Sequence, residues 1–320
     1  MSEFILDDLS QQYTQVEYDP VDIECYREGN TGIPYLWSFS ADQEGPHLMI
    51  CAIMHGNEIA GAAVLDRLLK EKIRPLKGRL SLCFGNPKAY SQFDKNNPTQ
   101  SRFVDQDINR IWGKELLDLS LDNYELRRAR ELREYLNDVD FLLDIHTMQA
   151  DGPAVALIAD RESGLECAKK LTEIPFVLTG KVHEPESLRL RDLSHFGVTQ
   201  KHAAAIQIEA GQHWKAETVD VAEIIAREFL EAYGLAKVTE RKPEIPQKLL
   251  RIVKTLHQKA DGFHYSHDIK SGDFFPDAGT ILANDGDLTI TTPEESCYFL
   301  MPVHFRRFAG PCGRIAVEVK

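Results

Sequence analysis

Apolar residues in this chain gather into short unbroken runs, and helical-period stretches separate the runs. The first run is His47-Leu48-Met49-Ile50-Cys51-Ala52-Ile53-Met54. A continuous run of that length predicts a strand buried on both faces. Residues 58–72 follow, with Ile59, Ala62, Leu65, Leu68 and Leu69 at helical spacing. Arg79 to Phe84 predicts a second strand, which must leave the sheet at Gly85-Asn86-Pro87. Residues 86–112 have no clear period, and loops of this length inside a compact domain are usually functional. Residues 121–136 predict a helix rich in Arg and Glu, read as a solvated face laced by i,i+4 pairs. Strands are predicted at 139–145, 153–159 and 204–208, with helices at 161–172 and 217–234, the last closed by Gly234. Residues 180–203 are irregular and carry His183, His195 and His202.

Strands alternating with helices over this length predict a three-layer α/β domain with a mostly parallel or mixed sheet. Residues 1 to 45 read as a lead-in with one or two short strands. The pattern changes near Arg241-Lys242-Pro243-Glu244-Ile245-Pro246. Beyond it come short alternating segments broken by Asp261-Gly262, Ser271-Gly272-Asp273, Asp277-Ala278-Gly279 and Asp285-Gly286-Asp287. The expected organisation is an α/β domain over 1–243 and a small β-domain, sandwich or barrel, over 244–320.

Composition narrows the function. The 320 residues are 43% apolar, enough for a sizeable core. A net charge of −13 argues against a general nucleic-acid binder. An anionic substrate would need a few arginines to collect it against that field. The start Met1-Ser2-Glu3-Phe4-Ile5-Leu6-Asp7-Asp8 lacks the basic and apolar regions of a signal peptide, and no run is long enough to span a membrane. None of the six cysteines forms a C-x-x-C pair, and Cys51 and Cys83 fall inside strand-like runs. These features predict buried thiols in a cytoplasmic protein.

The candidate chemistry sits at strand ends. His55 and Glu58 stand three residues apart where the first run stops, with Gly56 between them. Imidazole nitrogen and carboxylate oxygen are both ligand types that Zn²⁺ takes, although the pair alone also suits a plain helix start. His146 follows the run ending Asp144-Ile145, and Glu209 follows Ile206-Gln207-Ile208. In open α/β sheets ligands bind beyond the carboxyl ends of strands, so His55, His146 and Glu209 are expected to share a site. His264 and His267 lie at i,i+3 in the β region and read as surface histidines.

Four stretches in this order resemble the aspartoacylase and succinylglutamate desuccinylase family, a branch of the zinc carboxypeptidase fold. They are His55-Gly-Asn-Glu58, Asp105-x-Asp107-Ile-Asn109-Arg110, Asp144-Ile-His146-Thr and Ile208-Glu209-Ala-Gly211. The resemblance runs over residues 47–235, and the C-terminal region also resembles that family's small β-domain. It implies a zinc-carboxypeptidase-like three-layer fold. It implies that His55, Glu58 and His146 bind one Zn²⁺ per chain, a His₂Glu set that leaves a fourth position open. It implies that Glu209 is the general acid/base. Arg102 is then expected near the scissile carbonyl, and Asn109 with Arg110 on the substrate carboxylate. Asp144 could orient a ligand or be a plain structural aspartate.

The chain departs from the family in two places. Aspartoacylases carry an arginine ten residues before the catalytic glutamate, where this chain has Thr199; Arg189, Arg191 and Lys201 are the basic residues nearby. The family's C-terminal tyrosine has no secure counterpart in Val303-His304-Phe305-Arg306-Arg307-Phe308. The resulting expectation is a zinc-dependent amidohydrolase acting on a small N-acyl amino acid. It would have no nucleic-acid or membrane partner, and its oligomeric state is open. The rivals are a peptide-cleaving metallocarboxypeptidase and a zinc-site protein that binds a small acidic ligand without turnover.

Overall fold

The computed structural model describes residues 13–159, 162–180, 188–196, 203–237, 245–258, 262–304 and 311–319. Residues 241–244 of the expected linker, Thr199, Lys201, His183, His202 and the stretch Phe305-Arg306-Arg307-Phe308 lie outside the described residues.

The first half of the chain builds a mixed sheet. Strands β1 (Leu36–Ser40), β2 (His47–Ala52), β3 (Arg79–Phe84), β4 (Phe141–Met148), β5 (Val155–Ile158), β6 (Phe176–Thr179) and β7 (Ala204–Gln212) stand in the order β1-β3-β2-β4-β7-β5-β6. β2, β3, β4 and β7 are mutually parallel neighbours, while β1 and β5 run against them. Helices α1 (Ala60–Lys70), α2 (Tyr124–Leu136), α3 (Glu162–Ala168) and α4 (Ala216–Ala232) flank it. This is the three-layer mixed α/β architecture expected from the alternation.

Both faces of the central strands are buried, and successive side chains alternate between them. Ile50, Ile145 and Ile206 point to one face and pack with Val64 and Leu68 of α1 and Ile225 and Phe229 of α4. Met49, Leu142 and Ala205 point to the other and pack with Leu126, Leu132 and Leu136 of α2. Each such aliphatic or aromatic side chain removed from water stabilises the fold by about 1.5–3 kcal/mol. The second face matters for chemistry. Continuing Leu142 by twos along β4 gives Asp144 and His146; continuing Ala205 along β7 gives Gln207 and Glu209. The register pairs Asp144 with Gln207 and His146 with Glu209. Apolar residues fill this face under α2, and four polar residues occupy its carboxyl end.

The described residues of the C-terminal region form strands and turns, as the pattern predicts. β8 (Lys248–His257) pairs parallel to β6, so it lengthens the same sheet, which runs on through β14 (Pro311–Glu318), β13 (Cys297–Leu300) and β10 (Asp273–Phe275). β9 (His264–Tyr265), β11 (Ile281–Asp285) and β12 (Leu288–Thr291) form a separate small sheet. β6 is absent from the sequence reading; it has four residues and follows directly on Ile174-Pro175. Among the described residues no helix is long and apolar enough to cross a membrane.

The α2 charges differ from expectation. Asn123 caps the helix by accepting from Leu126 N at 2.9 Å. Glu125 and Arg128, however, are buried rather than solvated. The Glu125 carboxylate accepts from the backbone N–H groups of Val104, Asp105 and Gln106, and Arg128 donates to the carbonyls of Phe84, Gly85 and Pro34. These two residues tie the long loop to the end of β3 by satisfying backbone groups that would otherwise be buried without partners.

Candidate functional site

β2 ends at Ala52, and Ile53 turns out of the strand with φ of 53°, a left-handed conformation rare for a β-branched residue. His55 and Glu58 then lie in a turn, with Glu58 N donating to His55 O at 3.1 Å; α1 starts only at Ala60. The expectation that the pair opens the helix is therefore off by two residues. Gly56 is needed for close approach rather than for left-handed freedom. A Cβ there would sit 2.3 Å from Ala89 C and 2.4 Å from Ser101 O and Tyr90 N, all backbone atoms that cannot swing away. Gly56→Ala is expected to destabilise the fold by about 3 kcal/mol or more. Denaturant titration of the variant checks this, and a loss under about 1 kcal/mol would show that the two loops can part.

Glu58 is 3% exposed and takes one imidazole on each oxygen. His55 Nδ1 lies 2.7 Å from its Oε1, and His146 Nδ1 lies 2.8 Å from its Oε2, which also accepts from Thr147 N at 3.1 Å. The far nitrogen of each ring faces another carboxylate. His55 Nε2 is 2.9 Å from Asp107 Oδ1, and His146 Nε2 is 2.9 Å from Asp144 Oδ2. The structure thus brings His55, Glu58 and His146 together from β2 and β4, with donor atoms within 4.8 Å of one another. Among the described residues no other such group of His, Cys, Asp or Glu occurs. His264 and His267 are exposed, as expected, and His195 is spent on Val139 O at 2.7 Å.

The charge balance of the cluster tests its fit to a cation. A neutral imidazole has a single N–H, yet both nitrogens of both rings face carboxylates, with Arg102 Nη2 at 2.9 Å from His55 Nε2 and Asn109 Nδ2 at 3.3 Å from His146 Nε2 as further contacts. Burial opposes charge on His146, but Asp144 and Glu58 outweigh it and push its pKa well above the ordinary value. Burial likewise opposes charge on Glu58, but His55 and His146 outweigh it and hold its pKa well below the usual carboxylate range. A divalent cation held by Glu58 and the two Nδ1 atoms would leave the Nε2–H of each ring to donate to its aspartate. That is the carboxylate–histidine–metal arrangement. The donor set and the orienting aspartates fit a zinc-type ion.

The long loop closes over the cluster. Asp107 accepts from Arg102 Nη2 at 3.1 Å, and Arg102 Nη1 is 3.5 Å from Glu58 Oε1. Arg110 Nη1 donates to Asn109 O at 2.7 Å and lies 3.8 Å from Asp107. Asn109 is more committed than the resemblance implies. Its Oδ1 accepts from Leu190 N at 3.0 Å and its Nδ2 lies 3.3 Å from His146 Nε2. Both Asn109 and Arg110 line the cavity, but Arg110 keeps more of its polar surface open to it.

That cavity measures 180 Å³ and is also lined by His55, Glu58, Arg102 and Glu209. Burial raises the Glu209 carboxyl pKa; Glu58 adds to the rise, while His146 and Arg314 oppose it. Residues outside the sequence reading enter here. Asp107 was legible only as part of a motif, without a role. Gln207 sits two residues before Glu209 and donates to its Oε1 at 2.9 Å. His213 contacts Thr147 Oγ1 at 2.6 Å, and burial pushes its pKa down to about 4, so it lines the cavity as a neutral ring. Arg314 arrives from β14; Arg189, which the sequence reading did name among the basic residues near Thr199, comes from the segment before β7. Both are buried, and Arg189 Nη1 and Arg314 Nε have no hydrogen-bond partner among the described residues.

Comparison with known proteins agrees with this geometry. Residues 44–232 match the sequence model of the succinylglutamate desuccinylase/aspartoacylase catalytic domain. A succinylglutamate desuccinylase of Pseudomonas putida is 37% identical over 100 residues, 30% of this chain and 27% of that protein. An N-acyl-aromatic-L-amino acid amidohydrolase (carboxylate-forming) of Xenopus laevis is 27% identical over 127 residues, 37% of this chain and 39% of that protein. The matched stretches thus span about a quarter to two-fifths of those relatives. The crystal structure of succinylglutamate desuccinylase from Vibrio cholerae superposes with a TM-score of 0.67 at 16% identity, covering 89% of this chain and 86% of that one, a likeness of fold.

Proposed function

Because this chain belongs to the succinylglutamate desuccinylase/aspartoacylase family, we propose that it is a zinc-dependent amidohydrolase that removes a small acyl group from an N-acyl amino acid. The observation that carries the reading is the buried His55–Glu58–His146 cluster facing Glu209 across adjacent strands in a cavity ringed by arginines. Zn²⁺ held by those three side chains would supply Lewis-acid activation of water and of the amide carbonyl.

The chain's own residues do the rest. Glu209 takes a proton from the attacking water and returns it to the leaving amine, and its raised pKa suits both duties. Arg102, held against Asp107 and beside Glu58, stands where charge develops on the carbonyl oxygen. Arg110 receives the amino-acid carboxylate, and Asn109 holds His146 and the loop around it. His213, neutral, adds a polar wall without adding charge. The cavity volume of 180 Å³ lies below the roughly 300–1,000 Å³ usual for ligand sites, which favours a small acylated amino acid over a peptide. The spare donors of Arg189 and Arg314 favour an acyl or side-chain group bearing its own carboxylate over an aromatic one.

A panel of N-acetyl, N-succinyl and N-formyl amino acids, acidic and aromatic, tests the reading alongside dipeptides. Turnover of N-acylated acidic amino acids by zinc-loaded protein is the expected result. Faster turnover of peptides would favour the carboxypeptidase reading, and no turnover of any member with zinc bound would remove the proposal. Asp144→Asn is expected to weaken zinc affinity about 10- to 100-fold, since it removes the charge that orients His146. Competition with a metal-sensitive chelator measures it, and unchanged affinity would make Asp144 a plain structural residue.

A further inference from the structure

We propose that Gln207 is a positioning residue for Glu209: its amide, itself fixed by Arg191, dictates which carboxylate oxygen faces the cavity. The inference rests on the reading of Glu209 as the proton carrier. Gln207 and Glu209 are two residues apart on β7 and so share the face that carries Asp144 and His146. Gln207 Nε2 donates to Glu209 Oε1 at 2.9 Å. At its other end, Gln207 Oε1 accepts from Arg191 Nη1 at 2.9 Å. Arg191 is 1% exposed, and its Nε lies 3.5 Å from Asp192 Oδ1.

Donor and acceptor capacity makes this chain directional. A guanidinium only donates and an ionised carboxylate only accepts, so a single orientation of the amide satisfies both ends. Flipping it would set NH₂ against guanidinium and carbonyl oxygen against carboxylate. Gln207 is 4% exposed and Glu209 8%, so water cannot readily replace the lost bonds. The brace occupies Oε1 and leaves Oε2 to exchange the proton. The terminal torsion of a glutamate is intrinsically broad, and an unbraced carboxylate would sample orientations that do not face the reacting atoms.

Gln207→Met and Gln207→Glu test the proposal. Methionine keeps the length of the side chain and loses the donor. It is expected to lower kcat about 10- to 100-fold, the effect of one buried hydrogen bond to a charged group, with KM within about twofold and zinc content unchanged. A crystal structure of the variant should have the Glu209 carboxylate rotated or split between conformers. Gln207→Glu keeps the acceptor for Arg191 and sets an acceptor against Glu209. Its activity relative to the parent at the same pH should fall as far at neutral pH and recover towards acid pH, where the introduced carboxyl holds a proton and donates again. A merely structural glutamine would lower thermal stability in both variants without acid recovery. Unchanged kcat in Gln207→Met, or a Glu209 carboxylate that stays in place, overturns the proposal. If the methionine variant does not fold, the pH profile of Gln207→Glu decides. If the parent hydrolyses no N-acyl amino acid, the functional reading falls, and the crystallographic comparison still tests the brace.

Discussion

Replacing Glu209 by glutamine is expected to lower kcat by about 10²- to 10⁴-fold, the usual contribution of a positioned proton carrier. The substitution is nearly isosteric, so fold and zinc content should not change. The surroundings also fix how the new amide sits. Gln207 Nε2 needs an acceptor at 2.9 Å, so the introduced amide turns its oxygen to Gln207 and its NH₂ to the cavity. The one atom able to accept a proton from water is thereby taken away from the place where it is needed. KM should move little, because the substrate carboxylate is proposed to bind Arg110 rather than Glu209. Steady-state kinetics, zinc analysis and thermal unfolding on one preparation check the prediction. A variant that keeps kcat within about tenfold of the parent would assign the proton transfers to another group.

The reach and the limit of the sequence both appear along β4 and β7. His146 and Glu209 were legible because each closes an apolar run, and strand ends in an α/β sheet mark a common edge. Asp144 and Gln207 lie two residues earlier on the same face, so period-two reading could have grouped all four. Glutamine carries no motif signal, however, and its partner Arg191 comes from a segment whose path is not written locally. Asn109 illustrates the same limit from the other side. Residue type suits it to gripping a carboxylate, but only tertiary packing reveals that its amide is spent on Leu190 and His146. The charges of α2 misled because composition cannot tell a solvated Glu125 from one that collects three backbone N–H groups. The parallel pairing of β6 with β8 joins segments about seventy residues apart, and hydrophobic period says nothing about pairing at that separation.

Chelating the metal should abolish hydrolysis, reversibly on adding zinc, and should also reverse the sign of the pH dependence of stability above neutrality. In the metal-free chain His146 is a raised group. Burial opposes its charge, Asp144 and Glu58 outweigh burial, and its folded pKa lies well above 6.5. A raised pKa contributes stability that is complete below the unfolded value and is lost as pH climbs through the folded one. Glu58 is a lowered group, because His55 and His146 outweigh its burial. Its contribution is complete above about 4.5 and is lost as pH falls through the folded value. The chelated protein should therefore be most stable between those limits and weaken steadily on the alkaline side. Loaded protein should do the opposite over that range. Zinc held there would compete with the proton of His146, so its affinity would rise with pH. Zinc at a hundredfold excess over its Kd adds about 2.7 kcal/mol. Thermal midpoints of chelated and zinc-reloaded protein, measured from pH 6 to 9, separate the cases. Parallel curves would mean that the two imidazoles and Glu58 do not hold the cation.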